Sequence, residues 1–128
     1  MMLRSCVAAM VLVAMAVAAC GGGGSGTKPS ATADADNRII VVAENIQFDL
    51  GRLSARPGAV TIVLDNEDTG QPHNIQFFRG SSNDGESVGT TEIKNGPARD
   101  ELAMQLEPGA YFYHCDVHPN MKGNLTVE

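Results

Sequence analysis

The sequence has little cysteine. Only three cysteines occur in 128 residues, and two of them, Cys6 and Cys20, lie in or at the edge of an apolar leader. The rest of the chain keeps one cysteine, Cys115, so it cannot close an internal disulfide. This excludes a disulfide-stapled scaffold and leaves the single thiol to be explained.

Basic residues are also scarce. The chain has 9 Lys and Arg against 15 Asp and Glu, which gives a formal net charge of −6. Nucleic acid and anionic lipid are poor partners for such a surface, because both carry negative charge themselves. A basic or mixed-charge protein partner fits better, although an acidic surface is also a common aid to solubility. We therefore expect no nucleic-acid partner.

No apolar run is long enough to span a bilayer. The run at residues 7–19 has 13 residues, whereas a membrane-spanning helix needs about 20. With Arg4 before it, this run predicts a signal peptide over residues 1–19. The run ends in Val-Ala-Ala-Cys20, which resembles the bacterial lipobox, whose cysteine sulfur is diacylated. Ordinary cleavage after Ala18, leaving a free thiol, is the alternative.

Residues 20–37 are predicted to be a lipidated cysteine followed by a flexible tether. The segment is rich in Gly, Ser and Thr, and it has almost nothing to bury. Two acyl chains give stable anchoring, where one would be marginal. We expect residues 38–128 to be the folded domain, exported and either held on the outer face of the cell membrane or periplasmic.

From residue 38 onward, short β-type runs are separated by turn residues, among them Arg56-Pro57-Gly58 and Glu107-Pro108-Gly109. The sequence shows no convincing helical period. Predicted strands cover residues 38–43, 45–49, 60–65, 73–78, 90–93, 101–106, 110–115 and 124–128. They predict an all-β fold, either a two-sheet sandwich or a small barrel. Alternation places these side chains in the core: Ile62, Leu64, Ile75, Phe77, Leu102, Met104, Leu106, Tyr111, Tyr113 and Cys115. Residues 79–89, which are polar, are predicted to form a surface loop.

The residues that can carry chemistry are confined to two places in this domain. Cys115, His118 and Met121 have the spacing Cys-x2-His-x2-Met, which lets one tight loop after a strand bend three side chains toward a common point. His73 begins a predicted strand 42 residues before Cys115, and it can complete the set from a neighbouring strand. Two imidazoles, one thiolate and one thioether are the donors of a blue-copper electron-transfer site.

Two other kinds of site fit these residues less well. Zinc binds Cys and His readily, but it has no use for a Met ligand, and structural zinc sites usually contain more than one cysteine. A Cys/His hydrolase needs a base and an oxyanion hole, and nothing in the sequence marks either. His114 could act as the base, but strand alternation sends it to the face opposite Cys115.

The domain resembles the plastocyanin/amicyanin-like cupredoxins, a family of blue (type 1) copper proteins. The resemblance rests on GAYFYHCDVHPNMKG at residues 109–123 and QPHNIQF at residues 71–77, and it extends over residues 38–128. It implies a Greek-key β-sandwich with one copper ion that cycles between Cu(II) and Cu(I). The ligands that it implies are His73, Cys115, His118 and Met121.

The resemblance also implies roles for residues around these ligands. Asn74 is expected to tie the two ligand loops together, with its backbone N–H near the Cys115 sulfur, and Asp116 is expected among these outer contacts. Val117 stands where the family commonly has proline, so it restores a backbone N–H. If that N–H points at the thiolate, it stabilises reduced copper and raises the reduction potential.

The function that follows is a one-electron carrier without substrate turnover. His118 is the expected electron portal, and His114 offers either a second route or an ordinary exposed histidine. Redox proteins would be its partners, and we expect a monomer tethered to the extracytoplasmic membrane surface through Cys20. One alternative is an extracytoplasmic module that binds and delivers copper, although a buried site of four ligands releases metal slowly. Another is an interaction domain without metal, against which the complete ligand set argues.

Overall fold

The structure, a computed structural model, describes residues 27–128. The predicted signal peptide at residues 1–19 and the predicted lipidation site at Cys20 lie outside the described residues. Residues 27–128 contain no helix with the length and apolar character that a membrane crossing requires. The described chain is all-β, as the sequence predicted.

Residues 27–128 form twelve strands. In chain order they are β1 (Ser30–Thr32), β2 (Arg38–Glu44), β3 (Gln47–Phe48), β4 (Arg52–Ala55), β5 (Gly58–Asn66), β6 (Pro72–His73), β7 (Gln76–Arg79), β8 (Ser87–Thr90), β9 (Lys94–Asn95), β10 (Ala98–Leu106), β11 (Gly109–His114) and β12 (Lys122–Val127). One sheet has the order β1-β4-β12-β11-β7-β8, and a second has the order β10-β5-β2-β3. A short ladder joins β6 to β9.

Three of the strand pairs are parallel, although the sheets are mainly antiparallel. β4 runs parallel to both β1 and β12, and β2 runs parallel to β5. Parallel neighbours of this kind arise where the chain crosses from one sheet to the other, as it does in Greek-key sandwiches.

The two large sheets enclose one hydrophobic core. Side chains alternate between buried and exposed along β12 and toward the end of β10, as the pleat of a half-buried strand requires. The predicted core side chains lie in this core, and Leu102 packs at its margin. Two buried tyrosine hydroxyls find backbone acceptors: Tyr111 donates to the Glu107 carbonyl at 2.8 Å, and Tyr113 donates to the Leu50 carbonyl at 2.8 Å.

Two Pro-Gly turns lie at positions where the sequence predicted turns, and each leads into a strand. Gly58 has a φ of 106° and Gly109 a φ of 150°, conformations that residues with a Cβ rarely adopt. Pro57-Gly58 leads from β4 into β5, and Pro108-Gly109 leads from β10 into β11. These turns therefore fix where β5 and β11 begin.

The N-terminal boundary of the domain differs from the prediction. β1 lies inside the segment 20–37 that was predicted to be a tether, and Ala33 just after it is buried. β4, which pairs with β1, is absent from the predicted strands. Both strands are short, and each gains its hydrogen bonds from a partner distant in sequence, so neither has a local pattern that reveals it. The ordered domain therefore starts before Arg38.

Two predicted strands near the end of the six-stranded sheet also differ. The run at residues 73–78 is divided into β6 and β7, because the chain leaves the ladder at Asn74 and Ile75. The strand predicted at 90–93 is replaced by β8, which pairs with β7 and lies partly within the predicted loop 79–89. The interruption places His73 on β6, before the start of β7.

Candidate metal centre

The sheet brings the two ligand-bearing segments to the same place. β7 and β11 are antiparallel neighbours, with Gln76 opposite His114, so the start of β7 lies beside the end of β11. His73 comes just before β7, and Cys115 comes directly after β11. β12 pairs with β11 on its other side, so residues 115–121 form a closed loop that connects two hydrogen-bonded strands.

Backbone hydrogen bonds give this loop its shape. The Cys115 N–H donates to the Met121 carbonyl at 2.9 Å, and the Met121 N–H donates to the His118 carbonyl at 2.9 Å. Cys115 and Met121 are fully buried, and His118 is half-buried. The Cys-x2-His-x2-Met spacing therefore forms the single tight loop that the sequence predicted.

Three of the predicted ligands meet at one point. Ligand atoms of His73, Cys115 and His118 all lie within 4.8 Å of one another. His73 Nδ1 is 3.8 Å from the Cys115 sulfur and 3.1 Å from His118 Nδ1. Two imidazole nitrogens and one sulfur are the trigonal donors of type 1 copper. Met121, whose loop position is fixed by its bonds to Cys115 and His118, adds a buried soft thioether of the kind that zinc does not use.

Asp68 orients the first histidine, and sequence reasoning missed it. Its Oδ2 lies 2.8 Å from His73 Nε2, which leaves Nδ1 for the cluster. The backbone N–H groups of Asn45 and Ile46 also donate to this carboxylate, at 2.6 and 2.8 Å. Burial alone would raise the pKa of Asp68, but these hydrogen bonds and His73 outweigh it and hold the pKa below its usual value. A carboxylate five residues before a ligand histidine, within one turn, is the signal that could have revealed it.

Asn74 connects the two ligand loops through its side chain. Its Oδ1 accepts the Asp116 N–H at 2.8 Å, and its Nδ2 donates to Asp116 Oδ2 at 2.7 Å and to Thr90 Oγ1 at 3.1 Å. The expected contact from the Asn74 N–H to the Cys115 sulfur is not among the hydrogen bonds of residues 27–128. The side-chain amide makes the connection instead, because it engages both the backbone and the carboxylate of Asp116.

Val117 makes no hydrogen bond to the sulfur among residues 27–128. Within the described chain its N–H makes no hydrogen bond to Cys115, and its side chain is 40% exposed. The expectation of a raised potential at this position therefore has no hydrogen bond to support it.

His114 lies on the outer face of the sheet, as alternation predicted, but it is buried there. Its ring packs edge-on against Phe78, with 5.2 Å between ring centroids, and its Nε2 lies 2.9 Å from Asp116 Oδ1. His118 is therefore the more accessible of the two histidines that were considered as electron portals.

Comparison with known proteins identifies the family that the sequence resembles. The family model of the cupredoxin-like domain matches residues 7–127. Amicyanin from Paracoccus denitrificans is 32% identical over 133 aligned positions, which cover 98% of this chain and 95% of amicyanin.

Solved structures show the same fold. Reduced auracyanin from the photosynthetic bacterium Roseiflexus castenholzii superposes with a TM-score of 0.65 at 22% identity, over 74% of this chain and 99% of auracyanin. An amicyanin variant in the Cu(I) form superposes with a TM-score of 0.57 at 29% identity, over 73% of this chain and 85% of that one. The family resemblance expected from the sequence is confirmed: the chain belongs to the cupredoxin-like family, and its cluster of His73, Cys115 and His118 fits the type 1 copper site of that family.

Proposed function

We propose that the chain is a one-electron carrier whose copper is held by His73, Cys115, His118 and Met121. The observation that carries this proposal is the convergence of two imidazoles and one thiol within 4.8 Å, in a loop that also buries a methionine. Copper bound there would supply a centre that alternates between Cu(II) and Cu(I). Amicyanin variants are known in both a Cu(I) form and an oxidised form, which supports a redox role.

The residues around the donors favour a rigid site. Asp68 fixes the ring of His73 from behind at 2.8 Å, and the backbone bonds of Cys115 and Met121 fix the loop. Donors that are already held in place move little when the charge of the metal changes, because their supporting contacts oppose rearrangement. A small rearrangement favours rapid electron transfer.

The surroundings of the site give little support for catalysis. The chain has three histidines, and after His73 and His118 only His114 remains. Its Nε2 lies 2.9 Å from Asp116 Oδ1 and its ring packs against Phe78, so this one remaining histidine is poorly placed to build a second metal centre. An oxidase would need such a centre, and the chain is therefore better suited to carry electrons than to turn over a substrate.

The electron path that we propose leaves the protein at His118. This histidine is half-buried, whereas the other proposed ligands are fully buried, so its ring is the donor group nearest to solvent. Redox proteins that dock over residues 116–120 would exchange electrons through it. His114 is the less favourable route, since its ring is covered by Phe78.

We also propose that the domain is tethered to the extracytoplasmic membrane surface through a lipid on Cys20. The motif Val-Ala-Ala-Cys20 after an apolar run supports this proposal. Replacement of Cys20 by Ser should move the protein from the detergent phase to the aqueous phase on phase separation of cells that express it. A protein that partitions identically with and without Cys20 would contradict the anchor and leave the copper site untouched.

Two measured rates distinguish an electron carrier from a copper-delivery protein. The copper-loaded protein should show fast electron self-exchange, measured by NMR line broadening in mixtures of the oxidised and reduced forms. Its transfer of copper to an apoprotein acceptor should be slow, because three of the four proposed ligands are fully buried. Fast copper transfer together with slow self-exchange would assign the chain to copper delivery instead.

A further inference from the structure

A groove on the outer face of the six-stranded sheet plays no part in the proposed electron transfer. It has a volume of about 540 Å³, which is within the range of small-ligand sites. Among the residues that line it are Lys28, Arg52, Ser81, Phe112, Asn120 and Lys122. The groove therefore borders the metal-binding loop on one side and the first described residues on the other.

The strand register explains why these residues share one face. Arg52 on β4 is paired with Asn124 on β12, and Asn124 is paired in turn with Phe112 on β11. Lys122 lies two residues before Asn124, so both side chains leave the same face of β12. Gly123 and Leu125 alternate with them and are buried. Arg52 and Lys122 thus stand on the side of the sheet that faces away from the core.

The charge of this groove is not compensated. Residues 27–128 contain eight Lys and Arg side chains. Four of them have a carboxylate oxygen within 4.0 Å: Arg38, Arg79, Lys94 and Arg99. A fifth, Arg56, donates to the carbonyls of Asp34 and Ala35. In the described part of the chain, Lys28, Arg52 and Lys122 have no carboxylate at that distance, and all three line the groove. No Asp or Glu lines it, and residues 1–26 contain neither.

We propose that this groove binds a phosphate group carried by a larger ligand. Uncompensated cations in a concave site attract anions, and the planar guanidinium of Arg52 can donate two parallel hydrogen bonds to phosphate oxygens. The lysines add point charges, while Ser81 and Asn120 offer neutral hydrogen-bonding groups. Because the rest of the molecule is acidic, with a net charge of −6 for the whole chain, the groove is the place where an anion meets the least repulsion.

Two sources of such a phosphate are within reach. One is a soluble phosphate ester, and the other is the headgroup of an anionic phospholipid. Only residues 21–26 separate Cys20 from Thr27 at the edge of the groove, and six residues of a Gly-rich random coil would span about 12 to 15 Å. The phospholipid source relies on the proposed anchor, whereas the soluble source does not. The negative net charge of the chain predicted that anionic lipid is a poor partner. The net charge is an average over the whole surface, however, and the face that carries the groove is locally positive.

The test compares two charge-matched double variants in a background in which Cys20 is replaced by Ser, so that no acyl chain contributes. Arg52→Gln/Lys122→Gln removes two cations from the groove, and Arg38→Gln/Arg99→Gln removes two that are paired elsewhere. In one arm, glycerol phosphate is titrated into the protein, and binding is measured by calorimetry and by the change in backbone amide chemical shifts in NMR spectra. The other measures sedimentation with vesicles of phosphatidylglycerol in phosphatidylcholine, against vesicles of phosphatidylcholine alone.

The groove variant should lose about tenfold or more in affinity for at least one probe, since a lost charge-assisted hydrogen bond of 1.5–3 kcal/mol corresponds to at least this factor. The control variant should change the affinity less than about twofold on the same scale. Binding to glycerol phosphate with no preference for anionic vesicles identifies a soluble ester as the source. Sedimentation with the anionic vesicles identifies the headgroup, whose own polar part is a glycerol phosphate. The proposal is overturned if neither probe binds, or if both double variants weaken binding equally. Copper binding remains measurable in every variant, so this result and the result for electron transfer are independent.

Discussion

Asn74 holds together the two segments that carry the proposed ligands, and its removal should affect stability and metal binding together. Asn74→Ala deletes the hydrogen bonds to the Asp116 N–H at 2.8 Å, to the Asp116 carboxylate at 2.7 Å and to Thr90 at 3.1 Å. A bond to a charged group contributes about 1.5 to 3 kcal/mol and a neutral bond about 1 kcal/mol. Because Asp116 is exposed and can rebind water, we expect a loss of about 2 to 4 kcal/mol.

A matched control exists just before the start of β2. Asn37 is also buried, and its side chain makes three hydrogen bonds of 2.8 to 2.9 Å to the backbone of Arg56 and Ala59. Its φ is 58°, so Asn37→Gly removes these bonds without adding backbone strain. This variant should lose comparable stability and leave the metal site intact.

The assay combines urea unfolding, which gives the free energy of unfolding, with a Cu(I) competition titration, which gives the affinity for copper. Asn74→Ala should lower both quantities, and Asn37→Gly should lower only the free energy of unfolding. A loss of less than about 1 kcal/mol in Asn74→Ala, below the contribution of one ordinary hydrogen bond, would refute the reasoning. So would a copper affinity that falls equally in the two variants.

Two further predictions concern packing and pH. In Gly123→Ala, the new Cβ would overlap the Tyr113 hydroxyl and lie 2.6 Å from the Gly51 carbonyl oxygen, so urea unfolding should show a loss of about 1 to 3 kcal/mol; unchanged stability would contradict the packing. Burial would raise the pKa of Asp100, but hydrogen bonds, among them one from Lys94 at 3.0 Å, hold it below its usual value. Asp100 therefore stabilises the fold above its unfolded pKa, and this contribution is lost as pH falls through the lower folded pKa. Asp100→Asn should be less stable than the parent at pH 7, and the two unfolding curves should converge in acid; a gap that persists there would refute this.

The parts of the fold that the sequence predicted are those with a local pattern. Strict alternation along Leu102, Met104 and Leu106 identified a strand and its inward face, and Pro108-Gly109 identified its end. Among the strands that were missed, β1 and β4 are short and owe their conformation to parallel partners far along the chain. No local window contains that information.

The same distinction applies to the site. Cys115, His118 and Met121 were visible because their spacing lies within one loop, and His73 was visible because so few other donors exist. Asp68 was not predicted, because only the folded turn brings its carboxylate to His73. The basic groove was also hidden, since Arg52 and Lys122 become neighbours only through the pairing of β4 with β12, and Lys28 joins them because β1 pairs with β4.

The central claim is that Cys115 and its neighbours form a type 1 copper site, and addition of Cu(II) to the purified chain tests it most directly. The parent protein should turn intensely blue, because a cysteine thiolate bound to copper gives the colour of these sites. Cys115→Ser should stay colourless while its circular dichroism remains that of the folded parent. A parent protein that binds copper without colour, or a Cys115→Ser variant that turns equally blue, would contradict the account.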